Sequence, residues 1–206
     1  MKKQLLSAVM LCTLGVVGCG EDNAGPVVDT GPKYNTPDKV RTFLEGKTLV
    51  MEGANIPSHP NGISENVLFD PSTQCYNKVT MLVASGNLQV TSVRAVIEGA
   101  TTQGSTGTCN RAMVRDTLAP FTSTTLNIEN VKSDGTCFDI TATYNGFAQE
   151  GRGVVTQDGT KVQLELFFSG QATGHRCVDG AVGAKTITTS RGAFTGNAVQ
   201  TYAVQQ

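Results

Sequence analysis

Short runs of alternating apolar and polar residues fill most of the chain after residue 46. The clearest run is Lys161–Phe168, in which apolar side chains recur at every second position from Val162 onward. A period of two places these side chains on one face of a β-strand. The runs predict strands at Lys47–Glu52, Glu65–Asp70, Tyr76–Ala84, Leu88–Glu98, Arg111–Val114, Thr124–Val131, Phe138–Tyr144, Phe147–Thr156, Lys161–Phe168, Gly174–Val178, Lys185–Thr189 and Ala198–Val204.

One short helix precedes these strands. Thr36 supplies a capping hydroxyl, Pro37 suits the first helical position, and Asp38 adds a favourable negative charge to the first turn. Three apolar residues then recur at helical spacing, and Gly46 ends the segment. No other segment has a convincing helical period, so the helix is expected to cover one end of a larger β structure.

Turn residues join the strands as neighbours in the chain. Asn145-Gly146 and Asp158-Gly159 predict two-residue turns, and Ser85-Gly86-Asn87 predicts a third hairpin. The predicted fold class is therefore all-β: an antiparallel up-and-down meander that forms a small barrel or a two-sheet sandwich, with one short N-terminal capping helix. Both arrangements remain open at this point.

The first residues carry a basic start, Met1–Lys3, and an apolar run from Leu5 to Val17, which is typical of a secretory signal. The run of 13 residues is shorter than the roughly 20 that a membrane-spanning helix needs. A plain secretory signal is the other alternative. The ending Val16-Val17-Gly18-Cys19 resembles the lipobox of bacterial lipoproteins.

This resemblance implies a diacylglycerol on the thiol of Cys19, cleavage before that residue and a second acylation of the new amino terminus. Gly20, in place of an aspartate, implies the outer membrane rather than the inner one. The predicted organisation is a signal peptide at 1–18, a lipidated cysteine and flexible tether at 19–35, and a single β domain at 36–206. The membrane is the expected partner, reached through the lipid on Cys19.

Four cysteines remain in the domain: Cys75, Cys109, Cys137 and Cys177. An even number in an exported chain predicts two disulfides, and four cysteines allow three pairings. We favour Cys75 with Cys109 and Cys137 with Cys177, because each bond is then local to one half of the domain. No close cysteine pair indicates a metal site, so no metal ligand is predicted.

Charge and motifs exclude several function classes. Removing Lys2 and Lys3 from the 16 basic residues leaves 14 against 17 acidic residues, a net charge of −3, which argues against a nucleic-acid partner. The chain has neither a calcium-loop motif nor a glycine-rich phosphate loop, so no cofactor is predicted.

Two histidines are the candidate general bases of a hydrolase. His59 lies in the rigid turn 57–62 beside Ser58, and His175 precedes Cys177 at a predicted strand edge, where a surface position is expected. Four strand-borne acids are expected to face solvent, with none marked as a catalytic pair: Glu52, Glu98, Asp139 and Glu165. No catalytic residue is therefore assigned. Phe167 interrupts the polar row of its strand and predicts burial on both faces.

The segment Leu44-Glu45-Gly46-Lys47-Thr48-Leu49-Val50 resembles the entry to a lipocalin or fatty-acid-binding barrel. The resemblance implies a closed barrel with an interior cavity. The chain departs from that family at Thr48, where lipocalins have a tryptophan, and it contains no tryptophan at all.

Three functions follow as hypotheses. The first is a lipid-anchored β domain of the cell envelope with a non-catalytic binding or structural role. The second is a lipocalin-like carrier of a small apolar ligand. The third is a hydrolase that uses His59 or His175.

Overall fold

A computed structural model of the chain describes residues 31–58, 62–64, 75–99, 106–190, 192–194 and 197–205. The predicted signal peptide, Cys19 and most of the predicted tether lie outside these residues. His59 and the predicted strand Glu65–Asp70 also lie outside them.

The N-terminal helix α1 spans Pro37–Leu44, as its capping residues predict. The hydroxyl of Thr36 accepts a hydrogen bond from the backbone N–H of Lys39 at 3.3 Å. After the last turn the chain passes through Gly46 at a φ of +74°, a conformation that glycine adopts without strain. Val40 and Leu44 are the buried residues of this helix.

The strands of the fold follow in chain order. They are β1 Thr48–Glu52, β2 Ile63–Ser64, β3 Tyr76–Ala84, β4 Asn87–Glu98, β5 Thr106–Thr117, β6 Phe121–Thr122, β7 Thr125–Glu129, β8 Phe138–Tyr144, β9 Phe147–Val155, β10 Lys161–Phe168, β11 Ala172–Thr173, β12 Thr188–Thr189, β13 Gly192–Ala193 and β14 Gln200–Gln205. A single 3₁₀ turn, Gly53–Asn55, follows β1. The predicted all-β antiparallel class with one short helix is confirmed.

The main sheet has the order β2-β5-β4-β3-β1-β14-β10-β9-β8-β7, with β6 paired to β4. The first and last strands of the domain are neighbours, with Leu49 opposite Val204. Consecutive strands on either side of this pair run as meanders. The hydrogen-bonded ladder of the described residues does not close into a barrel, and its two halves enclose one core in the manner of a sandwich.

Buried side chains of the described residues fill most of the core between the halves. Buried side chains from α1, β1, β3, β4, β8, β10 and β14 form one apolar cluster. A small void of about 40 Å³ remains near its middle, where the side chains of Ser92, Gln149 and Gln200 contribute polar groups. That volume holds a water molecule, which needs about 10–15 Å³, and is far below the several hundred cubic ångströms of a typical ligand cavity.

Several predicted boundaries were wrong. The predicted strand Thr124–Val131 is shorter in the structure, as β7 Thr125–Glu129. The separate strand β6 precedes it across Ser123, whose hydroxyl accepts a hydrogen bond from the N–H of Leu88 at 2.8 Å. Strand β5 is much longer than the predicted Arg111–Val114. The prediction was too short because many residues of β5 are polar and not buried, so alternation does not mark the ends of the strand. A register shift makes Ala95 face Val114 while Val96 faces Asn110.

The turn at Asp158-Gly159 is longer than the predicted two residues. One oxygen of Asp158 accepts hydrogen bonds from the Thr156 hydroxyl at 2.5 Å and the Thr160 N–H at 3.0 Å. These hydrogen bonds lower the pKa of Asp158 to about 2 and stabilise the wider loop. By contrast, Asn145-Gly146 forms the predicted two-residue turn, with Tyr144 opposite Phe147.

Both predicted disulfides are present. Cys75 bonds to Cys109 and Cys137 to Cys177, with Cα atoms 5.3 and 5.8 Å apart. Such bonds persist in oxidising, extracytoplasmic compartments. Within the described part of the chain, no helix has the length and apolar character needed to cross a membrane.

Candidate functional site

The described residues between β10 and β14 (169–190, 192–194 and 197–199), here called the long loop, pack against the outer face of β8–β10. Within it, β11, β12 and β13 form a separate small sheet. A second apolar cluster joins this loop to the main sheet through Phe167, Ala172, Ile187 and Ala198. Phe167 is thus buried away from the main core, which confirms the predicted two-sided burial of its strand.

Arg152 on β9 is the central link between the sheet and the long loop. Its side chain is completely buried, and its Nε donates to Glu165 Oε2 on β10 at 2.6 Å. The two Nη atoms donate to the carbonyl oxygens of Gly180 at 2.9 Å and Ala184 at 3.0 Å, and to the Thr186 hydroxyl at 3.2 Å. Because a buried guanidinium needs acceptors for its donors, this residue requires the loop to lie where it does.

Asp139, Arg152 and Glu165 form a buried row across β8, β9 and β10, because each lies directly opposite the next. The two oxygens of Asp139 accept from the Cys177 N–H at 2.8 Å and from Asn130 Nδ2 at 2.9 Å. The expectation that strand-borne acids face solvent was therefore wrong for Asp139 and Glu165. The physical reason is that the long loop covers this face of the sheet.

Glu150, His175 and Arg176 form a second polar group under the long loop. Arg176 Nη2 donates to Glu150 Oε2 at 2.5 Å, and His175 Nε2 lies 3.8 Å from Glu150 Oε1. Both ring nitrogens of His175 are buried and have no hydrogen-bond partner among the described residues. Burial lowers the pKa of His175, while the nearby Glu150 carboxylate acts in the opposite direction.

The expected surface position of His175 was wrong, and the predicted strand Gly174–Val178 is absent. The chain turns here: Gly174 has a φ of +71°, and Asp179 accepts from the Arg176 N–H at 3.1 Å. His175 and Cys177 are buried and alternate with less buried neighbours, but this alternation arises from a turn lying on the sheet. The predicted strand Lys185–Thr189 is also reduced, to β12 alone.

A cleft of about 220 Å³ opens between two described parts of the long loop, residues 183–187 on one side and 194 with 197–199 on the other. Ile187, Phe194 and Ala198 give it apolar walls, and Glu165 from β10, Lys185 and Asn197 add polar groups to its lining. Glu165 is only 2 % exposed. One of its oxygens binds Arg152, whereas Oε1 receives no hydrogen bond from the described residues. The cleft therefore combines apolar walls with the carboxylate of Glu165, which is paired with Arg152, and the exposed cation of Lys185.

The structure brings together some of the sequence-predicted site residues. Cys137 and Cys177 lie beside Asp139 through the Cys177 N–H, and His175 lies beside Glu150. Cys19 and His59 lie outside the described residues. Within the described ranges, no three His, Cys, Asp or Glu side chains are grouped as metal ligands.

Arg152 is the main residue that sequence reasoning missed. The available signal was its position in Gly151-Arg152-Gly153, on a predicted strand beside another strand that carries Glu165. The glycines are needed because a Cβ at Gly153 would lie 2.6 Å from both Leu164 Cδ2 and Phe138 Cζ. An arginine between two such glycines points to the opposite face of the strand.

Comparison of the chain with protein-family models, curated proteins and solved structures gives no match.

Proposed function

We propose that this protein is a non-catalytic binding protein of the cell envelope, anchored to a membrane by lipid on Cys19. The observation that carries the proposal is the pair of disulfides within the β domain, because such bonds belong to proteins exported to oxidising compartments. The apolar run and the lipobox-like Val16-Val17-Gly18-Cys19 supply the export signal and the anchoring residue. The outer membrane is the proposed location.

The arrangement of charged groups supports binding over catalysis. A catalytic acid or base needs a free face directed at a substrate. Arg152 instead uses its donors on Glu165 and the long loop, and Asp139 uses both oxygens on Asn130 and Cys177. These groups hold the loop to the sheet, and the cleft beside them is suited to hold a ligand.

The two other functions receive less support. A void of about 40 Å³ between the sheet halves is too small for the ligand of a lipocalin-like carrier. For a hydrolase, His175 has a carboxylate neighbour in Glu150, but no hydroxyl or thiol nucleophile bonds to its ring nitrogens among the described residues. Binding, with the loop-side cleft as the candidate site, is therefore the function that we propose.

Replacement of the anchoring cysteine tests the proposal. With Cys19→Ala, the exported full chain is expected in the soluble fraction after cell lysis, because two or more acyl chains are needed for stable anchoring. Cys12→Ala is the matched control, since Cys12 lies inside the apolar run, and this variant is expected to remain in the membrane fraction. Retention of the Cys19→Ala chain in washed membranes would contradict the lipid anchor.

A further inference from the structure

We propose that the void of about 40 Å³ in the main core is a binding site for water, held by the side-chain amide of Gln200. Its lining includes residues of β3 and β4 from one half of the sheet and of β9, β10 and β14 from the other. A water molecule in this void therefore links the two halves. The inference is independent of the lipid anchor and of the loop-side cleft.

Gln200 is the buried group that needs a further partner. Its side chain is only 2 % exposed, and its Oε1 accepts a hydrogen bond from the Tyr202 hydroxyl at 2.7 Å. Its Nε2 is buried and has no hydrogen-bond partner among the described residues. A half-turn of the amide would exchange the two atoms and still leave one of them unpaired. Because burying an unpaired polar atom is costly, this amide requires a partner from the void that it lines.

Gln149 on β9 and Ser92 on β4 supply further polar groups to the same void. Both side chains are buried, and Gln149 Oε1 accepts a hydrogen bond from the Tyr144 hydroxyl at 3.3 Å. A buried water molecule makes about two to four hydrogen bonds, chiefly to polar groups that lack other partners. Polar side chains from three strands therefore offer water in this void the partners that it needs.

The size and the charge of the void select water over other ligands. Its volume of about 40 Å³ exceeds the roughly 10–15 Å³ that one water molecule needs and is far below that of a site for an organic ligand. None of the described residues that line it is charged, so an ion would lose its hydration without a compensating partner. A void lined only by apolar side chains stays dry, whereas the amides of Gln149 and Gln200 line this one.

Two NMR measurements on the full chain, purified in detergent, test for bound water. The ¹⁷O relaxation dispersion of water counts the molecules that stay bound longer than the protein takes to tumble. Cross-peaks between water and the side-chain amide protons of Gln200 locate such a molecule. We expect a cross-peak whose NOE and ROE have opposite signs, which marks long residence. No cross-peak, or an NOE and an ROE of the same sign, would overturn the inference.

Variants assign the bound water to this void. Gln200→Leu removes the amide and is expected to lower the count of long-lived water molecules by about one. Gln163→Leu is the matched control, because Gln163 lies on the neighbouring strand β10 and is not among the described residues that line the void. It is expected to leave the count unchanged.

Ser92→Val provides a second variant from the other half of the sheet, and it keeps the inference testable if Gln200→Leu does not fold. It replaces a polar group with methyl groups that fill the void, so the same loss of about one water molecule is expected. An unchanged count in Gln200→Leu and Ser92→Val, or an equal drop in Gln163→Leu, would show that no water is held at this site.

Discussion

Arg152 and Glu165 lie directly opposite one another on β9 and β10, with Arg152 Nε 2.6 Å from Glu165 Oε2 and both side chains buried. Burying two charges carries a large desolvation cost, which is offset only when the remaining donors and acceptors are satisfied. The loop carbonyls of Gly180 and Ala184 satisfy the guanidinium. The ion pair therefore fixes the position of the long loop, and with it the shape of the cleft.

Removal of the arginine is expected to be strongly destabilising. Arg152→Met leaves Glu165 as an unpaired buried charge and frees the loop carbonyls of Gly180 and Ala184. The expected loss is about 3–5 kcal/mol in the free energy of unfolding, measured by urea denaturation.

The double variant Arg152→Met/Glu165→Leu is the matched control, because it removes both charges together. It is expected to recover a large part of the lost stability, since an apolar pair of similar volume replaces a broken ion pair. A loss below about 1 kcal/mol for Arg152→Met alone would show that the buried pair does not hold the loop.

Local sequence patterns predicted the strands of the main sheet more reliably than they predicted the residues of the candidate site. The alternation in Lys161–Phe168 places Val162 and Leu164 in the core, and the Thr36 cap places the start of α1, as the structure confirms. These features depend on a few neighbouring residues. They therefore appear in the sequence as local periods and capping residues.

The buried charges were not predictable in the same way. Glu165 lies on the outer face of its strand, as the alternation requires, but its burial depends on a loop that begins after Phe168 and returns over the sheet. The expected surface position of His175 was wrong for the same reason, because its burial also depends on how this loop packs on the sheet. No local period reveals which face of a sheet a later irregular segment will cover, because that depends on tertiary contacts.

The disulfide between Cys137 and Cys177 is expected to stabilise the long loop. It links the start of β8 to the loop across 40 residues of sequence. The double replacement Cys137→Ser/Cys177→Ser is expected to lower the free energy of unfolding by about 4 kcal/mol, because closing a loop of this length restricts the unfolded chain. Denaturant unfolding under non-reducing conditions measures the difference.

The second disulfide provides the comparison. Cys75→Ser/Cys109→Ser opens a similar span of 34 residues, so a similar loss of stability is expected. Only Cys137→Ser/Cys177→Ser is expected to open the long loop to limited proteolysis, because Cys177 belongs to that loop. Equal cleavage of both double variants within the loop would contradict this assignment.

A side chain at Gly153 is expected to overpack the main core. A Cβ at this position would lie 2.6 Å from Leu164 Cδ2 and from Phe138 Cζ. Gly153→Ala is therefore expected to cost about 1–3 kcal/mol of stability through overpacking, measured as a shift of the urea midpoint. Phe138→Leu in the same chain should reduce that cost, and additive losses would argue against direct contact.

Stability is expected to fall on mild acidification because of His175. Burial holds the pKa of His175 below its ordinary value of 6.5, and Arg176 and Arg152 act in the same direction, whereas Glu150 and Asp179 oppose it. The unfolded chain therefore binds a proton as the pH falls through 6.5, while the folded chain stays unprotonated until a lower pH. The contribution of neutral His175 is complete above 6.5 and is lost as the pH falls toward the folded pKa.

A single proton limits the slope to about 1.4 kcal/mol per pH unit. Urea denaturation between pH 5 and pH 8 measures it, a range chosen well above the lowered pKa values of Asp116, Asp134 and Asp158. His175→Leu is expected to flatten the profile, because the replacement does not titrate and keeps the buried position apolar. His59→Gln is the matched control and should retain the slope. Loss of the slope in His59→Gln, together with its retention in His175→Leu, would attribute the acid sensitivity to His59. That result would contradict the buried neutral state of His175.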